Sequence, residues 1–510
     1  MFKNNKKSML MAIPVSFLIM TSAILNGYSV NNRNAYADVD NKTASLTSPI
    51  EGPDSANITN AGIIMKQLLS SNKPYDIATL AYIWGYPLVT SEVTKAFVTN
   101  PNVPAAPGRG PANQFNHLGQ LTTAKEKDIV RPNADTLYSY SWIDLKGGPI
   151  VLKVPNIVNR YYTLQFLDAY SNSFHYIGTR TTGEKGGTFL ITGPNWKGTL
   201  PANYSSMNMS KIQSPTNIVF LIGRILVNGP QDVTNVNQIQ KNLTLTPVFH
   251  NTTRTTSEAK PIEPLASNIP KLGIQFFDIL SNSLVNNPPP ANQTYLIKKF
   301  ETIGIGLGKT PSNDITNQTI IQALKTGISE GEKIIDEKTA NIGTVVNGWS
   351  VNLQVGTYGE DYLLRAAVAK VGFGANIPQE AVYPLTFTDA NGTLLNAANN
   401  TNYLMHFGKG QVPPVKGFWS LTMYDKDGFF VDNPINRYNI GDRTLGLKNN
   451  TDSSLDISIS SKNPGQAKES NWLPAPDGPF TLLLRMYIPD DSVVKGQYQI
   501  PPVEKVVTNK

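Results

Sequence analysis

Short runs of β-branched and aromatic residues, broken every few positions by turn formers, constrain this chain more than anything else in it. Residues 136–145, 150–154, 161–168, 174–180, 188–192 and 218–227 are such runs, with Gly-Gly, Pro-Asn and Gly-Glu-Lys-Gly-Gly between them. Several short strands at that spacing predict an antiparallel sandwich or barrel and argue against a βαβ sheet. The texture returns at 403–407, 417–424, 455–459 and 480–487, with Asp389-Ala390-Asn391-Gly392 and Asp425-Lys426-Asp427-Gly428 as turns. Between the two β blocks the period changes to that of helices. Leu272, Phe276, Phe277, Ile279 and Leu280 share one helical face, Ile320, Ile321, Leu324 and Ile328 another, and a further helix is predicted over 358–371. Ahead of the first block, Ile63, Ile64, Leu68 and Leu69 read as one helix and residues 75–98 as a second, which Pro87 should kink. The fold expected is α+β and multidomain: two antiparallel, jelly-roll-like β-sandwich blocks with N-terminal helices and a helical middle.

The N-terminus reads as an address. Lys3, Lys6 and Lys7 precede an apolar run from Met9 to Leu25, and Ala35-Tyr36-Ala37 follows a polar stretch. A basic segment, an apolar segment and a small-residue end are the signature of a secretory signal peptide. The apolar run is shorter than the roughly 20 residues of a membrane span, so cleavage after Ala37 is favoured over an uncleaved anchor. The boundaries expected are a signal at 1–37, a flexible stalk at 38–60, helices plus sandwich at 61–230, a helical middle at 231–375 and a second sandwich at 376–505.

Composition removes whole classes of function. Without any cysteine among 510 residues, disulfides, thiolate-bound metals, iron–sulfur clusters and thiol catalysis are excluded. Four histidines (His117, His175, His250, His406) make a histidine-rich metal site improbable, and no metal or other cofactor is expected. The net charge of +7 falls to +3 once residues 1–37, with Lys3, Lys6, Lys7 and Arg33, are set aside. That balance, with no dense basic tract, argues against nucleic acid as a partner. Asn-x-Ser/Thr triplets recur, as at Asn57, Asn203, Asn251 and Asn391, in a chain rich enough in those residues to produce them by chance.

Familiar catalytic strings are missing. Gly304-Ile305-Gly306-Leu307-Gly308-Lys309-Thr310 lacks both the Walker A and the dinucleotide spacing and reads as an interhelical turn. No Gly-x-Ser-x-Gly or His-Glu-x-x-His occurs. The densest polar string is Arg131-Pro132-Asn133-Ala134-Asp135-Thr136-Leu137-Tyr138, where Asn and Asp beside proline serve first as turn caps. Asn433-Pro434-Ile435-Asn436-Arg437-Tyr438 is a second such string, and Asn471-Trp472-Leu473-Pro474-Ala475-Pro476 is a rigid aromatic loop. Arg485 lies in an apolar strand and should need an acidic partner.

These strings also carry a resemblance. Residues 131–138, Trp142-Ile143-Asp144-Leu145, Gly148-Pro149, Val154-Pro155 and Gly193-Pro194-Asn195-Trp196-Lys197-Gly198 resemble the domain-of-unknown-function family 1254. Gly417-Phe418-Trp419-Ser420-Leu421-Thr422-Met423-Tyr424, Asn433-Pro434, Arg437-Tyr438, the 471–476 loop and Arg485-Met486-Tyr487 resemble its usual partner, family 1214. One departure is Asp452-Ser453-Ser454-Leu455, where Asp-Gly-Ser-Leu is expected. The resemblance implies β-sandwich modules with a helical part, and no reaction, cofactor or catalytic residue.

Three functional readings follow. The leading one is an exported or envelope-associated protein that binds a polar small molecule or glycan through sandwich-end loops, with Arg131, Asn133, Tyr138, Arg437, Trp472 and Arg485 as contacts. The second is an extracytoplasmic hydrolase using Asp135, Asp168, His175 and Arg180 as a carboxylate pair or dispersed triad. The third is a structural envelope component that assembles with copies of itself. Membrane contact is expected only through an uncleaved signal segment.

Overall fold

The structure, a computed structural model, describes residues 54–127, 130–249, 263–264 and 266–506. The signal segment at 1–37, His250 and the triplet at Asn251 lie outside them. Helix α1 (Asp54–Ser70) begins inside the stretch read as a stalk, because its Ser, Asn and Thr residues are weak helix formers without being helix breakers. Helix α2 (Pro74–Val98) starts on a proline and continues through Pro87. Tyr82, Trp84 and Tyr86 are all fully buried on it, the mark of a helix enclosed on every side.

Nine strands make the first sandwich: β1 (Asn116–His117), β2 (Thr136–Asp144), β3 (Ile150–Val154), β4 (Tyr162–Asp168), β5 (Ser173–Gly178), β6 (Gly187–Thr192), β7 (Ser210–Gln213), β8 (Ile218–Leu226) and β9 (Thr244–Pro247). They form one sheet in the order β1-β2-β8-β4-β5 and another in the order β7-β6-β3-β9, antiparallel except for β6 with β7. Leu137, Ile143, Leu164, Phe166, Leu221 and Ile225 fill the space between them with Leu152 and Ile191. Two short helices, α3 (Ala202–Ser205) and α4 (Val233–Lys241), lie in the connections. Since β9 pairs with β3, the sandwich extends past the boundary expected at 230.

Helices α5 (Gln275–Leu284), α6 (Thr294–Glu301), α7 (Pro311–Asp314), α8 (Gln318–Ala340) and α9 (Tyr362–Val371) do not stand as a separate middle. With α2 they cover the outer face of the five-stranded sheet, and Trp142, Phe220 and Ile222 of that face belong to the helical core. Gly327 lets α8 lie hard against α2, since a Cβ there would come within 2.6 Å of Ala78 Cβ.

The second sandwich contains β10 (Thr344–Val346), β11 (Trp349–Val351), β12 (Ala381–Val382), β13 (Leu385–Thr386), β14 (Tyr403–Phe407), β15 (Val415–Asp425), β16 (Asn439–Gly441), β17 (Leu455–Ser460), β18 (Trp472–Pro474), β19 (Phe480–Pro489) and β20 (Val503–Lys505), with α10 (Asp491–Val494) after β19. Its sheets run β10-β11-β13-β19-β15-β16, with β12 also on β19, and β18-β17-β14-β20. The side-chain alternation of its two long strands explains how the blocks meet. Trp419, Leu421 and Met423 of β15 and Leu482, Leu484 and Met486 of β19 face the sandwich core. Their neighbours Ser420, Thr422, Tyr424, Arg485 and Tyr487 are also buried, on the opposite face. A sheet buried on both faces needs a second layer, and the first block supplies it through Tyr161 and Leu226, packed with Phe418 and Tyr487.

The departure noted at Ser453 has a conformational counterpart. Ser453 has a φ of 70°, the left-handed region glycine enters without steric cost, within a turn where Asp452 Oδ1 accepts the Ser454 N–H at 2.9 Å. Ser453→Gly should therefore raise stability by about 0.5–1 kcal/mol, read as a higher urea midpoint at unchanged slope.

Candidate functional site

Period-two alternation puts Tyr138, Tyr140 and Trp142 of β2 on the outer face of the five-stranded sheet. In the antiparallel register Tyr138 stands opposite Arg224, Tyr140 opposite Ile222 and Trp142 opposite Phe220. The helices cover the Trp142 end of this face. Toward the Tyr138 end a cleft remains, open to solvent on one side. Phe220, Ile222, Tyr138 and Tyr140 form its floor, and Phe373, just beyond α9, closes one wall. Leu118, Gln120 and Thr122 make a second wall, and Arg131, Pro132, Asn133 and Thr136 a third. Among the described residues no carboxylate, imidazole or serine hydroxyl lines it.

The third wall is held by the other sandwich. Arg131 sits at a φ of 53°, a left-handed conformation disfavoured for a side-chain-bearing residue, and its N–H donates to the Gly428 carbonyl at 2.7 Å. The Pro132 carbonyl accepts from the Tyr424 hydroxyl at 2.5 Å and from Arg485 Nη2 at 3.1 Å. Asn133 caps the turn as its sequence context suggests, Oδ1 taking the Asp135 N–H at 2.6 Å, while its Nδ2 donates to the Tyr487 hydroxyl at 2.9 Å. Asp135 is buried and accepts from Ser420 Oγ at 2.6 Å, Asn439 Nδ2 at 2.8 Å and Arg443 Nη2 at 2.6 Å, all from the second sandwich. Asp135→Asn should lower stability by about 2–3 kcal/mol, because it leaves Arg443 without its partner at the seam, and urea unfolding measures it.

Two arginines reach the cleft. Arg224 is 4 % exposed, donates to Gln165 Oε1 at 2.8 Å, and has its guanidinium carbon 5.5 Å from the centre of the Tyr138 ring. Arg131 has its guanidinium 5.7 Å from the Phe387 ring centre, and its buried Nε has no hydrogen-bond partner among the described residues. Burial lowers Arg131 to about 10. Among the described residues neither arginine forms an ion pair. Thr136 Oγ1 is likewise buried without a partner.

The strand bearing Arg224 is clamped at its end. Arg160 Nη1 donates to the Leu226 carbonyl at 2.8 Å and, with Nη2, holds Asp232 in a two-pronged pair at 2.7 and 3.1 Å. Those hydrogen bonds from Arg160 pull Asp232 down to about 2 from an ordinary value of 3.8. A carboxylate held low in the folded state stabilises it above the unfolded value and loses that contribution as pH falls through the folded one. The stability advantage of the wild type over Asp232→Asn should therefore shrink as pH drops from about 4 toward about 2, measured by denaturant unfolding at each pH.

Of the residues singled out in the sequence, Arg131, Asn133 and Tyr138 meet at this cleft, and the others do not. Arg437 Nη1 donates to the carbonyls of Glu469 and Trp472, fixing the 469–472 turn. Trp472 is buried and gives its indole N–H to the Ser460 carbonyl at 3.0 Å. Arg485 lacks the acidic partner expected for it; Thr422 Oγ1 at 2.6 Å, the Tyr424 hydroxyl at 2.8 Å and two main-chain carbonyls take its donors instead. Arg180 pairs with Glu380 at 2.6 Å. His175 lies on the edge strand β5 against Phe166, and burial lowers its pKa. Asp168 caps the β4–β5 turn through the N–H groups of Tyr170 and Asn172. It pairs across from Val219, whereas Thr136, next to Asp135, pairs with Leu226 at the other end of β8. Seven residues of strand place the two carboxylates about 23 Å apart, far beyond the reach of a catalytic pair. Among the described residues no group of three or more histidines and carboxylates could hold a metal ion, and no helix is long and apolar enough to cross a membrane.

Sequence reasoning passed over Arg224, Tyr140, Phe220, Ile222 and Phe373. The signal for Arg224 was present: a lone arginine in the apolar run 218–227, the same pattern that drew attention to Arg485.

Comparison with known proteins agrees with this architecture. Residues 112–247 match the family model described as "Protein of unknown function (DUF1254)", and residues 380–491 match "Protein of unknown function (DUF1214)". No curated protein matches the chain. Among solved structures, the VPA0106 protein from Vibrio parahaemolyticus is similar over 85% of this chain and 100% of its own, at 25% identity and a TM-score of 0.65. An uncharacterized protein from Burkholderia cenocepacia aligns over 89% of this chain and 96% of its own, at 11% identity and a TM-score of 0.39.

Proposed function

We propose that this chain is an exported binding protein that takes a small polar molecule with an apolar face into the cleft between β2, β8 and the 131–133 segment. The observation that carries this reading is the lining itself. Aromatic rings make the floor, while in its third wall Arg131 Nε and Thr136 Oγ1 are buried with no hydrogen-bond partner among the described residues. Buried polar atoms without partners are costly, and side chains that turned to meet a ligand would recover that cost. Binding is favoured over turnover because the groups that most often move protons or attack a substrate are absent from the lining among the described residues, and Asp135 and Asp168 stand at opposite ends of β8. The export part rests on the basic, apolar and Ala-x-Ala order of residues 1–37.

Gln120 is exposed on the cleft rim, so Gln120→Trp should narrow the mouth with little effect on folding. Ligand-observed NMR with a mixed set of small acids, neutral polar molecules and sugars should find compounds that bind the wild type and not Gln120→Trp. Hits that bind both proteins equally would contradict the assignment of the cleft.

A further inference from the structure

The charge balance around the cleft goes one step beyond a general binding site. Arg131 and Arg224 both line it, and among the described residues no carboxylate does. The acids in the surrounding structure are committed elsewhere. Asp135 is consumed by Arg443, Ser420 and Asn439, and Glu380 by Arg180 at 2.6 Å and the Tyr161 hydroxyl at 2.8 Å. Arg224 is left with amide and phenol neighbours: Gln165 Oε1, Asn376 Oδ1 at 3.5 Å, and the face of Tyr138. A guanidinium this deeply buried ordinarily has a carboxylate or phosphate to answer it. Here that guanidinium and the half-buried one of Arg131 line the same solvent-reachable space, with no carboxylate among the described residues.

Resting on the binding reading above, we infer that the ligand is an organic anion: an acid group met by Arg131 and Arg224, on an apolar body packed against Tyr138 and Tyr140. The chemistry of each part fits. Guanidinium forks bind planar acid groups by paired, charge-assisted hydrogen bonds. Tyr140 stacks near-parallel with Tyr138 at 5.4 Å and with Phe220 at 6.1 Å, so the floor is a ladder of aromatic rings against which an apolar body can pack. Burial lowers the Arg131 pKa, an effect that an anion beside it would oppose, whereas the tyrosines around Arg224 hold its pKa up. A neutral sugar would leave both guanidinium charges unanswered.

Cinnamate and its neutral isostere cinnamamide separate charge from shape, and phenyl phosphate separates one acid group from another. With the full chain, calorimetric titration should show cinnamate or phenyl phosphate binding at least about tenfold more tightly than cinnamamide. The preference should fall severalfold in Arg131→Gln and in Arg224→Gln. Arg131 is nearer the surface than Arg224, so if Arg224→Gln fails to fold, Arg131→Gln and the loss of affinity with added salt carry the test. Equal affinity for cinnamate and cinnamamide, with both weakened by Gln120→Trp, would overturn the inference and leave the binding cleft standing. Anion binding that is unchanged in Gln120→Trp and in both arginine variants, or no binding of any of the three compounds, would overturn the inference and the cleft together.

Discussion

The carboxylate of Asp135 organises the seam of this protein. It leaves the first sandwich, crosses to the second, and there meets a hydroxyl, an amide and a guanidinium. An ionised group removed from water is stable only when its acceptor sites are filled, and here all three donors come from β15, β16 and the turn after β16. The three contacts therefore couple the two sandwiches at this point. The seam also sets the conformation of the four residues before Asp135, so the left-handed backbone of Arg131 and the bonds to the Pro132 carbonyl depend on the second sandwich. The cleft wall made by residues 131–133 is thus a product of docking between blocks.

Burial on both faces of two sheets explains why neither sandwich is complete alone. In the first block the outer face of β2 and β8 needs the helices around α2, and in the second the outer face of β15 and β19 needs the first block. The cleft is the place where these two coverings leave off. The helical layer stops at Phe373 and the wall held by the second sandwich stops at Arg131, and the half-buried rings of Tyr138 and Tyr140 lie between them.

Much of this was legible in the sequence. The bounds of β3 and β14 are those read from residue pattern, and most other long strands shift by only a residue or two at either end. Their runs are bounded by turns whose chemistry is local. The turn-capping reading of Asn133 also follows from a local rule. What was not legible depended on pairing across distance. Two-residue strands such as β1 and β12 exist only because a longer neighbour offers them an edge. Asp135 was read as a turn cap or a catalytic group because the sequence does not show that Arg443, 308 positions later, would reach it. Arg485 was expected to need an acid, yet carbonyls and hydroxyls suffice because so many converge on it. Arg224 was missed because an arginine in an apolar strand shows that something must answer its charge, without showing from where.

The most direct test is a crystal structure of the chain grown with cinnamate. The account predicts density against Tyr138 and Tyr140, with the carboxylate within hydrogen-bonding distance of Arg131, Arg224 or both. An empty cleft at saturating cinnamate, or the compound bound elsewhere with its carboxylate away from both arginines, would contradict it.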